Sequence, residues 1–509
     1  METPDLNKSS YFKNLHVAIY KDKSFYLDVP PFNPHLCYPE YSFKNEISSK
    51  PNAAYDAVRS CFFLLGLDRE NFSSYKWNPL RDIIKTEDIV VIKPNFVQSS
   101  HYERGNLYSI ITHPSILRAV VDYVYKAING EGEIIIADAP QMDCNFKELL
   151  RITKLNSIQD LYWKKRKFEI KILDLRDFWV DKKPKDIEFL SKRRKKLPGD
   201  PLGSIIVNLS KKSEFYKVRN WQHFYGADYN RDETIKHHHR EIQEYMVSNS
   251  ILGSDVLISV PKLKVHKKVG VTLNSKGLVG INTNKNYLIH YTLGSPEDGG
   301  DQYPSKIHSF REAKVLKTKR ILYDFLLSKK NPKIDSIYIA LHKFCKGFFK
   351  PFVRKVTENK LVFDCGNWYG NDSAWRMVSD LMKIIIYVDK NGIIKNSPQR
   401  KVFSVVDGII GGENNGPLIP DEKKEGVVIA GFNPLATDIV STRLMGFDYR
   451  KLKWIVNLIN NKNFDFYVDD VENIKIVTNN PEFQDIFKTN DKYLNFKPPP
   501  GWQGFIELV

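Results

Sequence analysis

Six cationic or ionisable basic residues and no acid stand in "VPKLKVHKKVGVTLNSKGLVGIN", residues 260–282: Lys262, Lys264, His266, Lys267, Lys268 and Lys276. The same stretch carries Val260, Val265, Val269, Val271, Leu273, Leu278, Val279 and Ile281. Basic residues interleaved with β-branched and aliphatic ones point to a buried element that brings charge to a pocket, and away from a solvated nucleic-acid surface. Lys262, Lys264 and His266 share one parity, so an extended chain presents them on one face. Lys276 follows His266 by ten residues, in the polar break "LNSKGL". An amine in such a partly dry place has a lowered pKa and can act as a nucleophile. The chemistry expected of the stretch is recognition of a small anion, with proton transfer or nucleophilic attack beside it.

Other segments offer candidates of the same kind. "DIVVIKPNFV" ends in Lys93 and Asn95, and a lysine there is a point charge suited to phosphate or carboxylate. Asp138 closes "EIIIADAP". His113 opens a helix, where free N–H groups and the dipole lower an imidazole's pKa and attract anions, so it can be a neutral base or an anion contact. Asp407, Glu413 and Asp438, in "VDGIIGGENNGP" and "NPLATD", are hard oxygen donors of the sort a divalent cation such as Mg takes; turn formation is their alternative use. "GNWYGNDSAWR" gathers Asn371, Asp372 and Arg376 among Trp and Tyr, either to grip a sugar or nucleotide or to pack a loop onto a helix. No G-x-x-x-x-G-K-[ST], G-x-S-x-G, H-E-x-x-H or G-x-G-x-x-G occurs, which disfavours P-loop kinases, serine hydrolases and standard dinucleotide oxidoreductases.

The elements that must position these residues read as an α/β fold: a mixed, mostly parallel sheet with helices on both faces, a basic helical insert and a small α+β C-terminal region. "DIVVIKPNFV", the helix of "THPSILRAVVDYVYKAI" with Thr112 as N-cap and Pro114 in its first turn, and "GEIIIADAP" make a βαβ unit. A helix is expected near "HREIQEYMVSNSIL" before the strand "SDVLISVPKLK". The candidates cluster at strand ends, the edge of an open α/β sheet where ligands bind. The expected organisation is an N-terminal extension over 1–85, core regions over 86–305 and 361–450, an insert over 306–360 and a tail over 451–509.

The chain has 509 residues, 42% hydrophobic and 13% aromatic, the composition of a folded protein. Between Lys306 and Lys360, fifteen Lys or Arg face four Asp or Glu, a net +11 of the chain's +17. That insert, with Phe344, Phe348, Phe349 and Phe352, is expected to lie on an anionic membrane surface in preference to nucleic acid. No run of eighteen apolar residues and no secretory signal pattern is present, so a cytoplasmic protein, associated at most with the membrane's inner face, is expected. The five cysteines are far apart, which argues against disulfide partners and against an iron–sulfur cluster.

In this order, "DIVVIKPNFV", "THPSILRAVVDYV", "EIIIADAP", "SDVLISVPKLKVHKKVGVTLNSKGLVGI", "VVDGIIGGENNGP" and "VVIAGFNPLATDIVSTRLMG" resemble the domain-of-unknown-function family 362 over residues 85–450. The insert and "GNWYGNDSAWR" look like members encoded among surface-polysaccharide biosynthesis genes. The family is in turn distantly similar to the nickel-pincer lactate racemases, whose T-H-x-P histidine and a second histidine are acid and base. There, a lysine ten residues after the second histidine tethers the cofactor, and a later histidine binds nickel. The resemblance implies that His113 and His266 exchange protons, that Lys276 is the tether and that His290 is the metal ligand. Pro114 stands one position early for that motif, and the glycine-rich context of the lysine is reduced to Asn274-Ser275-Lys276-Gly277. The leading expectation is a racemase or epimerase acting on an anionic sugar, sugar nucleotide or hydroxy acid. Mg-dependent group transfer and a non-catalytic membrane scaffold are the alternatives.

Overall fold

The computed structural model describes residues 6–180, 194–228, 230–305, 364–491 and 493–508, together with 314, 317, 318, 321 and 325. The basic insert and its four phenylalanines therefore lie outside the described residues, those five positions apart. No helix among the described residues is long and apolar enough to cross a membrane.

A ten-stranded mixed sheet dominates the described residues. Its principal strands, in chain order, are β1 (His16–Lys21), β2 (Ile89–Pro94), β3 (Glu133–Asp138), β4 (Ile170–Asp174), β5 (Val256–Val260), β6 (Lys262–His266), β7 (Lys401–Glu413), β8 (Asp421–Gly431) and β9 (Lys475–Thr478). Their order in space is β9–β1–β8–β7–β5–β2–β3–β4, with β6 lying along the far half of β7. From β7 to β4 every pair is parallel, whereas β7–β8 and β8–β1 are antiparallel. The N-terminal segment thus supplies a strand of the core.

Near-continuous apolar runs in β2, β3 and β5 bury both faces, as parallel strands between helices require. Alternate residues serve two cores. Val90 and Ile92 pack with α1 (Ala53–Leu64) and α2 (Pro114–Ala127) on one side. Val91 faces the other core, shared with α4 (Ala374–Tyr387) and α5 (Pro434–Leu444). A fifth helix, α3 (Leu273–Gly277), is a short buried turn between these layers and the strand ends.

Three local expectations change. His113, not Thr112, caps α2: its Nδ1 accepts from Ser115 N, and the Thr112 hydroxyl instead accepts from Asn95 N and donates to the Val260 carbonyl. The segment expected to be helical is a strand, Ile242–Ser248, followed by one helical turn. Its burial alternates, with Gln243, Tyr245 and Val247 inside, so a period of two wins over helix propensity. Asp407 sits mid-strand and not in a loop, because β7 continues through its glycines. A Cβ at Gly412 would fall 2.5 Å from the Ser109 carbonyl, so glycine there serves close packing.

Candidate functional site

Beyond the carboxyl ends of β2 and β3, between β6 and α3, lies a cavity of 380 Å³, the volume of a metabolite site. Its basic groups include Lys264, His266, Lys268, Lys276, Lys285 and His290, and Asp138 is the one carboxylate among its described lining residues. That carboxylate is already committed. Asp138 Oδ1 pairs with Lys93 Nζ at 2.9 Å and Oδ2 accepts from Phe96 N at 2.7 Å, with both side chains of the pair only 3% exposed. Gly280 makes room for the pair, since a Cβ there would stand 1.8 Å from Asp138 Oδ1.

Among the described residues no second carboxylate lines the cavity to answer the remaining basic groups, and burial acts on each. Burial, then Lys268 and Lys93, lowers the Lys276 amine to about 7. Burial also takes Lys285 to about 7 and Lys268 to about 8. Lys264 is held well below its ordinary value by burial and by Lys262 and Lys276. Lys285 Nζ donates to the carbonyls of Ala139, Val279 and Asn282, and Lys264 Nζ to that of Ile110. Both imidazoles are neutral at pH 7, pushed well below 6.5 by burial and then by Lys276. His266 Nδ1 accepts from Lys268 N, so its proton is on Nε2.

These shifts tie stability to pH with a definite sign. Each amine is charged in both states below its folded value, so its burial cost is full there. Between the folded values near 7–8 and the unfolded value near 10.4, the unfolded chain binds more protons, and stability rises with pH. Lys276→Met should therefore stabilise the protein most at pH 7 and lose that advantage towards pH 10, as read from urea midpoints. An advantage independent of pH would contradict a buried ionisable amine.

The turn that carries Lys276 is clamped from α5. Asp438 accepts from Asn274 N, Asn274 Nδ2, Ser275 N and Ser275 Oγ at 2.6–2.9 Å. Leu273, just before, holds a left-handed φ of 47°, a conformation costly for a branched residue and kept by its surroundings. Asp438 is thus a positioning group for Lys276.

His113 and Lys262 do not line the cavity. The register of β6 against β7 shifts between Lys262 and Lys264, and the two lysines meet different surroundings despite their shared parity. Lys262 Nζ lies 3.0 Å from Asp407 Oδ2, both fully buried, and donates to the Tyr26 hydroxyl at 2.7 Å. The His113 ring stacks on Tyr26 at 4.0 Å, with Tyr108 edge-on at 4.2 Å, and its backbone N–H donates to Asp407. This second cluster is a closed, internally paired core.

The three carboxylates offered for a metal are each occupied separately: Asp407 by Lys262, Asp438 by the 274–275 turn, and Glu413 by Lys423 and Lys497 N. Among the described residues no group of three His, Cys, Asp or Glu is arranged to hold a metal ion, and His290 has no such company. Nor do the residues fit the cofactor arrangement implied by the racemase resemblance. His266, Lys276 and His290 share the cavity, but His113 lies outside it with its Nδ1 spent on the helix cap.

Asn95 lines the cavity. Asn371, Asp372 and Arg376 do not; Asp372 and Arg376 pair with each other, while Asn371 Nδ2 holds the His290 and Gly366 carbonyls. The wall they support is formed by Cys365 and Asn367. Lys285 was missed because "NTNKNY" reads as a polar loop with nothing to mark its lysine as buried.

A family model described as domain of unknown function (DUF362) matches residues 90–191 and 209–443. No curated protein and no solved structure matches the chain.

Proposed function

The chain belongs to the DUF362 family, and from that premise we propose that it is an enzyme that binds a small organic anion in the cavity and moves a proton on it. The observation that carries this reading is the crowd of amines and imidazoles around one pocket whose single carboxylate is already paired. Buried cations are costly unless paired, and a phosphate or carboxylate entering the cavity supplies the missing charge. Lys264 and Lys268 hold that group. His266 and His290 are neutral imidazoles: one takes a proton from a carbon next to a carbonyl and, as the imidazolium so formed, returns it, the chemistry of isomerases and epimerases. A sugar phosphate or hydroxy acid matches the cavity's volume, and a precursor of a surface polysaccharide fits that class.

Calorimetric titration with inorganic pyrophosphate tests the binding step. Affinity should fall as pH rises from 7 to 9, because Lys268, held near 8, loses its proton over that range. Lys268→Met should weaken binding by about tenfold, or about 1.4 kcal/mol. Unchanged affinity in the variant, or no binding to the wild-type protein, would refute the site. For the catalytic step, exchange of solvent deuterium into sugar phosphates and hydroxy acids, followed by NMR, should vanish in His266→Ala; exchange at the wild-type rate would remove His266 from the chemistry.

A further inference from the structure

We propose that Lys276 captures the carbonyl carbon of an anionic aldehyde or ketone as an imine inside this cavity. The inference rests on the reading of the cavity as an anion site and goes beyond it, assigning a covalent step and a substrate class.

The cavity's amines are not equivalent. Lys285 donates to three carbonyls, and Lys264 and Lys268 each place one of their three N–H groups on a carbonyl, while Lys267, which also lines the cavity, is only half-buried. Lys276 lines the cavity at 6% exposure, and no described residue accepts a hydrogen bond from its Nζ. Its backbone is fixed by the turn that Asp438 clamps, so the amine is aimed and not merely tethered. Its position near 7 leaves a large share neutral at neutral pH, with a lone pair available for attack.

The step balances with groups present. Lys276 Nζ attacks the carbonyl carbon, a C–N bond forms, the carbonyl π pair moves to oxygen and the proton that the nitrogen sheds goes to that oxygen, giving a neutral carbinolamine. The Lys268 ammonium, largely charged at pH 7 with its amine near 8, protonates the departing hydroxyl, which leaves as water as the C=N bond forms. Amine, carbonyl and one proton become protonated imine and water, and no oxidant or reductant enters. The protonated imine draws electrons from the neighbouring carbon, so the C–H beside it becomes acidic enough for a neutral imidazole such as His290. The surrounding ammonium groups hold the substrate's phosphate or carboxylate, which is why an anionic carbonyl compound is preferred to a neutral one.

Trapping tests this directly on the full chain. The protein is incubated at pH 7 with limiting glyceraldehyde 3-phosphate and sodium cyanoborohydride, and modified peptides are mapped by mass spectrometry. Lys276 should be reductively alkylated about tenfold faster than exposed lysines or more: roughly half of it is neutral at pH 7, against well under 1% of an ordinary lysine, with reduced intrinsic nucleophilicity offsetting part of the gain. Excess inorganic pyrophosphate should suppress that labelling, and Lys276→Met should remove it. Labelling of Lys276 at the rate of surface lysines, while pyrophosphate still binds, overturns the imine and leaves the anion site standing. Selective labelling without pyrophosphate binding supports the imine and overturns the anion site. Because selectivity is read on the wild-type protein, the result does not depend on how any variant folds.

Discussion

Asp407→Asn is expected to destabilise the protein by about 3–5 kcal/mol, the cost of leaving a buried charge without its partner. The substitution leaves the Lys262 ammonium fully buried opposite a neutral amide, and weakens the acceptor for the Tyr26 hydroxyl and for His113 N–H. A double-mutant cycle with Lys262→Met isolates the pair. The double variant should recover much of the loss, since an apolar replacement of both partners removes the stranded charge. Urea denaturation of the four proteins reads the coupling directly. Strictly additive effects would mean that the pair holds nothing together. Because Asp407 answers to Lys262, added Mg²⁺ should leave the melting temperature of the wild-type protein unchanged through this residue.

The second large effect is expected at Gly280. In Gly280→Ala the new methyl group would occupy the space of Asp138 Oδ1 and crowd Lys93 Nζ, which a Cβ would approach to 2.7 Å. The carboxylate must turn away, stranding Lys93 and the Phe96 N–H, at a cost of about 3 kcal/mol or more. The displaced carboxylate also carries its negative charge into the pocket proposed to hold an anion, so pyrophosphate affinity should fall by more than the Lys268→Met change causes. Thermal unfolding and titration measure the two effects separately. A variant with wild-type stability would show that the strand ends can absorb the methyl group, and that the tight approach is not needed.

Much of this architecture was legible in the chain because its signals are local. Val90 to Ile92 and Ile134 to Ile136 announce buried parallel strands by unbroken apolar character, and the prolines and polar residues that follow mark where the strands end. That edge identified Asn95, Asp138, Lys264, His266 and Lys276 as neighbours, and they do line one cavity. What could not be read was which cation faces which wall. Lys262 and Lys264 have the same parity and flank the same Leu263, yet one irregular register step sends the first to Asp407 and the second to the cavity. Parity describes a regular strand, and an irregularity in pairing has no signature in a single sequence. The loop expected at Asp407 is a strand for a related reason: the glycines around it admit the Ser109 carbonyl and neighbouring side chains to an unbroken strand. In Ile242–Ser248 helix propensity pointed one way and the alternation of buried residues decided for a strand.

The position of β1 between β8 and β9 has a consequence for how the molecule comes to exist. Val17 pairs with Gly431 on one side and Ile476 on the other, so this strand waits during synthesis for partners made more than four hundred residues later. Until then Val17, Ala18 and Ile19, all fully buried in the finished protein, have no sheet to enter. The clamp on Lys276 is equally late, since Asp438 follows it by more than a hundred and fifty residues. Such non-local pairing slows folding and leaves a sticky strand exposed to aggregation on the ribosome. The sheet should therefore close only once β9 has been made, and chaperone supply during expression should set the yield of protein able to bind pyrophosphate.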